Sequence, residues 1–513
     1  MISTLLALLM GGIASFLGEL LVRPRLLPPW RRPIAALLIH LGSWCLLYAI
    51  FLALVQRPWF AAAFILCLQL VLVQSNHVKW KTLKEPFLFQ DFDYFLDAVR
   101  HPRLYLPFFG IALAIGASLA GATAIALFFW LEPWLVAQVG FGTYLAGLAM
   151  LTLIGSALLM AGLTRLPVIS LQPHKDLPEL GLYAFLWSYA RQAKRPIDAR
   201  LSPQVFRQQL PPPTHGPLPD VVVVQSEAFF DPGRWLQHGQ AQRLAHWERA
   251  CRTGQRHGRL DVPAWGANTV RTEAAFLTGL PNDALGIHRF SPYRQLARQA
   301  LPNLIGQLKQ WGYQTVAIHP YPASFYLRHQ VFPRLGFDHF IDIKAFDEKR
   351  DRDGQYISDA AVAREICHLL GIKHNKPLFI FAITMENHGP LSLEAGQLPE
   401  EEGGIHQELA TYLRHLENAD QMLGQLMQAL DVQERPGVLC WYGDHVPIMD
   451  TVYRQLGEPD GTTDYVIWSS RPQHGAPAIH QDLEVEALGQ VLLNHIINAT
   501  RPLPKDSVAT GGN

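Results

Sequence analysis

Two textures divide the chain. Over its first third the apolar residues run in long, almost unbroken stretches: Met1–Val22, Pro33–Val55, Trp59–Val73, Leu106–Trp130 and Thr143–Leu163. Most of these reach the roughly 20 residues a helix needs to cross a bilayer, so about five spans are expected, Trp59–Val73 being the shortest. From Asp220 onward the apolar runs shorten and alternate with amphipathic stretches, as in an α/β domain. Strands are expected at Asp220–Gln225, Thr315–Ile318, Leu378–Ile383 and Gly437–Tyr442. Helices are expected at Leu301–Trp311, Ser358–Leu370, Glu408–Ala429 and Leu483–Asn494.

Between the two textures lies a mixed stretch with charge, aromatics and proline. Within it Leu182–Ala193 has the spacing of a helix lying along a membrane surface. The run Pro211-Pro-Pro-Thr-His-Gly-Pro217 reads as a stiff spacer. The expected organisation is therefore a transmembrane domain over 1–163, a linker over 164–219, an α/β domain over 220–500 and a tail over 501–513. Glu85–Val99, aromatic and acidic, reads as a further interfacial helix. The first apolar segment lacks a basic leader and is followed at once by more spans, so it reads as an anchor rather than a cleaved signal.

Composition adds exclusions. With 43 basic and 43 acidic residues the chain has no net charge, and a nucleic-acid partner is not expected. Five cysteines without paired spacing indicate neither a disulfide framework nor a zinc ribbon. Arg23, Arg25, Arg31 and Arg32 follow the first span, and Lys79, Lys81, Lys84, Arg100 and Arg103 follow the third. Taken alone, this bias puts those loops, and with five spans the α/β domain, in the cytoplasm.

Chemistry gathers where apolar strands stop. Val221-Val-Val-Val-Gln-Ser-Glu227 ends on a carboxylate, and Val438-Leu-Cys-Trp-Tyr-Gly-Asp444-His445 on a carboxylate and an imidazole. In open α/β sheets the ligand site lies beyond the carboxyl ends of such strands, so these residues are expected to meet at one sheet edge. Asp and His offer hard oxygen and nitrogen ligands to a divalent metal. Thr269, in Trp265-Gly-Ala-Asn-Thr-Val-Arg-Thr-Glu273, opens an apolar helical stretch and is either a helix cap or a nucleophile. No Ser-His-Asp arrangement is evident nearby, which leaves a metal ion to activate its hydroxyl. His319 and His388 also follow expected strands, and Arg328 has a fork suited to a phosphate or to solvent.

The ordered set Ser226-Glu227-Ala-Phe, Gly266-Ala-Asn-Thr-Val-Arg-Thr-Glu273, His319-Pro-Tyr-Pro-Ala-Ser-Phe-Tyr-Leu-Arg328, Glu386-Asn-His-Gly-Pro390 and Tyr442-Gly-Asp-His445 resembles the lipoteichoic-acid-synthase family. These are membrane-anchored phosphoglycerol transferases of the alkaline phosphatase and sulfatase superfamily. The resemblance implies an N-terminal α-helical transmembrane bundle and a C-terminal α/β sulfatase-like catalytic domain. It implies Glu227, Thr269, Asp444 and His445 as ligands of one divalent metal, Mn²⁺ ahead of Zn²⁺ or Mg²⁺, with Thr269 doubling as nucleophile. His319, Arg328 and His388 would hold the phosphoglycerol head and assist proton transfer. Tyr326 stands where the synthases carry a tryptophan. The implied partners are the membrane, a phosphatidylglycerol-type phospholipid donor, and a glycan, teichoic-acid-like or other envelope acceptor. Such acceptors place the domain outside the cytoplasmic membrane, against the basic-loop bias. A phosphoethanolamine transferase, a sulfatase-like phosphodiesterase and a non-catalytic binding protein are the rival readings. The nucleophile segment lacks the Cys/Ser-x-Pro-x-Arg motif of true sulfatases.

Overall fold

A computed structural model describes residues 2–93, 95, 111–208, 210–213, 216–236, 243–394, 403–471 and 478–500. The tail at 501–513, most of the second half of Glu85–Val99 and the first residues of Leu106–Trp130 lie outside the described residues. The chain forms two compact units that divide at Arg195/Pro196.

In the first unit five helices are long and apolar enough to cross a membrane: Ile2–Leu21, Ile34–Val55, Pro58–Leu83, Leu119–Val139 and Phe141–Leu163. Large apolar side chains such as Ile13, Leu54 and Leu153 are exposed on them, as lipid-facing residues are. The second and fifth spans pack backbone to backbone through Gly42, where a Cβ would lie 2.5 Å from Leu159 N. The third span runs 26 residues, well past the expected Val73. Its polar continuation is satisfied internally: Asn76 bridges Arg23 and Phe87, and Lys79 pairs with Asp91 at 2.6 Å and Glu85 at 2.9 Å. The helix Leu182–Gln192 belongs to this unit. Its apolar face is buried, Leu182 N donates to Glu19 and Trp187 Nε1 to Ser43, so it rests on protein. The expected linker is thus split between the two units, 164–195 and 196–219.

The second unit is built on one sheet. Its strands are β1 (Asp220–Ser226), β2 (Arg256–Asp261), β3 (Gln314–Ile318), β4 (His339–Ile341), β7 (Leu378–Ile383), β8 (Gly437–Gly443), β9 (Thr463–Ser469), β10 (Ile479–His480) and β11 (Leu483–Glu484); β5 (Arg352–Asp353) and β6 (Tyr356–Ile357) form a separate ribbon. The order is β10-β2-β9-β8-β1-β7-β3-β4, with β11 also on β2. The four expected strands are the parallel centre, β8-β1-β7-β3. Their neighbour β9 is antiparallel to β8.

Both faces of the sheet are covered, which is why β1 is valine at four successive positions. Val221 and Val223 face a core holding Phe276, Leu304 and Leu488 from the helices Thr269–Thr278, Leu304–Gln310 and Val485–Ala499. Val222 and Val224 face Trp247, Ile366 and Leu423 from the helices Ala245–Thr253, Asp359–Gly371 and Gly403–Asp431. The layout is the expected one, a helical membrane bundle followed by an α/β domain.

Candidate active site

Register sets the site. Ser226 pairs with Gly443, and Gln225 pairs with both Tyr442 and Ile383. Glu227, Asp444 and Thr384 are therefore the first residues past three adjacent parallel strands. Glu227, Asp444 and His445 each offer a ligand atom within 4.8 Å of the others, and all three are buried. Gly443 permits this convergence: a Cβ there would sit 1.8 Å from Phe229 O.

The set holds buried polar atoms, Asp444 Oδ2 and His445 Nε2, that no hydrogen bond satisfies among the described residues. Asp444 Oδ1 accepts from Ala228 N and His445 N at 2.9 Å, leaving buried Oδ2 with no hydrogen bond. His445 Nδ1 lies 3.0 Å from Val446 O, which can only accept, so the proton is on Nδ1. The Nε2 lone pair then faces Asp444 Oδ2 at 3.3 Å and Glu227 Oε1 at 3.5 Å. Burial, then the neighbouring Asp444, push the Glu227 carboxyl well above its usual range. Converging lone pairs in a buried pocket fit a divalent cation.

Thr269 begins the helix Thr269–Thr278. It is nearly buried, and its hydroxyl makes no hydrogen bond among the described residues. The helix is keyed to the strand-end loops by its first turn, because Thr272 Oγ1 donates to Asp444 O at 2.8 Å. One residue on, Glu273 accepts from Tyr293 Oη at 2.7 Å and from Arg328 Nε at 3.2 Å, and also from Arg328 Nη2. Arg328 is itself buried, and its Nη1 donates to His319 Nε2 at 3.1 Å. The fork expected to meet a phosphate is thus turned toward Glu273.

His319 Nδ1 faces Ile383 O at 3.3 Å, so both of its ring nitrogens are engaged. Burial, and then Arg328, hold its pKa well below the ordinary histidine value. His388 is half-buried, with Nδ1 2.8 Å from Gly389 O, and burial lowers its pKa to about 4. Tyr326, half-buried, lies 5.4 Å from the Arg328 guanidinium.

Backbone strain marks the same places. Ala228, Asn268, Tyr326 and Leu327 all have positive φ, between 51° and 68°. They directly follow Glu227, precede Thr269 and lead into Arg328. Such conformations cost on the order of 1–3 kcal/mol each and persist where surroundings enforce them.

The sequence does not single out Thr272, Tyr293 or Thr384, and Glu273 stands in it only as the end of the Thr269 motif, without a role. Spacings of three and four from Thr269 put Thr272 and Glu273 on its helix face, a usable signal. Nothing in the sequence links Tyr293 to Glu273, or Thr384 Oγ1 to Glu227 N, which it accepts at 3.0 Å.

A profile of the family described as Sulfatase matches residues 219–495. The capsular polysaccharide biosynthesis protein RkpI of Rhizobium meliloti is 30% identical over 443 residues, 82% of this chain and 79% of that protein. Lipoteichoic acid synthase 2 of Bacillus subtilis is 22% identical over 38% of this chain and 30% of its own length. Among solved structures, the integral membrane protein lipooligosaccharide phosphoethanolamine transferase A (EptA) from Neisseria meningitidis aligns with a TM-score of 0.51. It is 15% identical and covers 90% of this chain and 95% of that one, a likeness of fold.

Proposed function

The chain belongs to the sulfatase family, and from that premise we propose that it is a membrane-anchored, metal-dependent phosphotransferase. It moves a phosphoglycerol-type headgroup from a phosphatidylglycerol-type lipid to an envelope acceptor, a glycan or teichoic-acid-like chain, through a phospho-threonine at Thr269. One observation carries the reading. Two buried carboxylates and an imidazole lone pair converge uncompensated, and the helix that starts at Thr269 is tied to one of them.

Glu227, Asp444, His445 and Thr269 would hold one divalent cation. An oxygen-rich set with one imidazole suits Mn²⁺ first, with Zn²⁺ or Mg²⁺ possible. When bound, the ion acidifies the threonine hydroxyl and neutralises charge on the phosphoryl oxygens. Thr269 Oγ1 bonds to phosphorus as the bond to the diacylglycerol oxygen breaks, and that oxygen takes up the proton that the threonine hydroxyl gives up. The acceptor hydroxyl then attacks the phospho-threonine, loses its proton and regenerates Thr269. His388 and His319 are the candidates for moving those protons. Tyr326 supplies an aromatic wall for the headgroup.

The catalytic domain lies outside the cytoplasmic membrane in this reading, where such acceptors are. Two of the basic residues that argue for the opposite side, Arg32 and Lys79, are buried in pairs with Glu19 and with Glu85 and Asp91. Neutralised in this way, they weigh less in the charge bias.

A phosphoethanolamine transferase is the second reading, favoured by the whole-chain fold likeness to EptA. All five cysteines are free, without the disulfides expected of that branch. Purified full-length protein, incubated with fluorescent phosphatidylglycerol or phosphatidylethanolamine, with and without a glycan acceptor, separates the readings. Diacylglycerol released from phosphatidylglycerol and acceptor-dependent product are expected. Cleavage of phosphatidylethanolamine alone would overturn the headgroup, and release to water regardless of acceptor would make the protein a hydrolase.

A further inference from the structure

Two histidines flank the proposed reaction centre, and their surroundings differ in kind. Around His319 every nitrogen is spoken for: Nδ1 faces Ile383 O at 3.3 Å and Nε2 accepts from Arg328 Nη1 at 3.1 Å. Since Ile383 O can only accept and arginine can only donate, the ring is fixed as the neutral Nδ1–H tautomer. Arg328 in turn is held by both oxygens of the Glu273 carboxylate, and Oε2 also accepts from Tyr293 Oη at 2.7 Å. Glu273, Arg328, His319 and Tyr293 are all buried, so the relay is shut off from bulk solvent from end to end. His388 has only Nδ1 committed, to Gly389 O at 2.8 Å, and its Nε2 has no hydrogen bond among the described residues.

We propose that Glu273 is a positioning residue: by gripping Arg328 it locks His319 out of proton transfer, and so leaves His388 Nε2 as the group that exchanges the proton. The role rests on the phosphotransferase reading. Glu273 lies one helical turn beyond Thr269, so the same short helix that presents the nucleophile also fixes the arginine and histidine facing it. Arg328 then acts as a fixed positive wall and His319 as its support. In the second half-reaction His388 Nε2 accepts the proton released by the acceptor hydroxyl. It passes that proton to Thr269 Oγ1 as the phosphorus–oxygen bond there breaks, just as in the first half-reaction it carries the Thr269 proton to the leaving lipid oxygen, so each half balances with no other acid.

The test uses full-length protein in detergent, labelled with ¹⁵N-histidine, with the His319 signals assigned by their loss in His319→Gln. Wild type should show a protonated Nδ1 and a bare Nε2 at His319 from pH 5 to 8. Glu273→Gln keeps the shape but loosens the grip on Arg328. It should shift His319 toward a tautomer mixture and lower kcat by about 10- to 100-fold, with metal content unchanged. Tyr293→Phe, which removes one bond on Glu273 from outside the centre, should move the His319 signals the same way by less. It provides the reading if Glu273→Gln does not fold. A His319 spectrum identical to wild type in the variants would overturn the relay, as would full activity in a folded Glu273→Gln. If wild type shows the locked tautomer yet turns over no phospholipid, the phosphotransferase reading fails while the relay stands.

Discussion

In the proposed reading single side chains answer to two demands, holding a cation and aiming a hydroxyl. Thr272 serves the second through one bond, from its Oγ1 to Asp444 O. Thr272→Val keeps size and helix but deletes that bond. A small misplacement of a nucleophile can cost on the order of 100-fold in rate, so kcat should fall by about 10- to 100-fold with metal content intact. Equal turnover by the variant, measured as diacylglycerol release, would show that the bond does not aim Thr269. The metal demand gives a pH signature. In metal-free protein the Glu227 carboxyl is held above its usual range, by burial first and Asp444 second. A raised acid stabilises the fold while protonated, so its contribution is present below the ordinary carboxylate pKa and is lost as pH rises through the raised value. Metal-free protein should therefore melt at lower temperature at pH 8 than at pH 5.5 on this group's account. Added Mn²⁺ should raise the melting temperature more at pH 8, because it binds the ionised form. Thermal melts of chelated and reloaded protein at the two pH values check both signs.

At the scale of elements, the strand ends carry the site, and they were the most legible part of the sequence. Leu378–Ile383 forms as expected to the residue, and the other three central strands extend by one residue at an end. Four parallel strands buried on both faces are continuously apolar, a signal local periodicity can read. The antiparallel half was not legible. β2, Arg-His-Gly-Arg-Leu-Asp, is polar and half exposed, and β9 opens on Thr463-Asp464, so neither shows the run that marked β1. The polar half of the third span was missed because Asn76 and Lys79 find partners only in the folded bundle. The Glu273–Arg328 connection was equally hidden, since it is a buried ion pair between residues 55 apart in sequence. Gly443 shows how tightly the strand ends fit. Gly443→Ala forces a Cβ into the Phe229 carbonyl and should destabilise the domain by about 1–3 kcal/mol. Denaturant melts of the variant check this, and unchanged stability would mean the loop has room to move.

For the whole molecule, a five-span bundle and a sulfatase-family domain in one chain give the proposed lipid donor its reason: such a substrate would share a membrane with the protein. The orientation prediction belongs to this scale. Protease added to intact spheroplasts should remove the C-terminal domain while leaving the spans protected. Full protection until lysis would put the domain in the cytoplasm, as the basic residues Arg23, Arg25 and Arg31 would have it. The measurement that tests the central claim most directly is to trap the intermediate. Full-length protein is given phosphatidylglycerol labelled in its glycerol headgroup, with acceptor withheld, then quenched in acid and digested for mass spectrometry. The account predicts a labelled glycerophosphoryl group on Thr269, absent in Thr269→Ala and cleared when acceptor is added before quenching. Continued lipid cleavage by Thr269→Ala, or a label on any other residue, would contradict it.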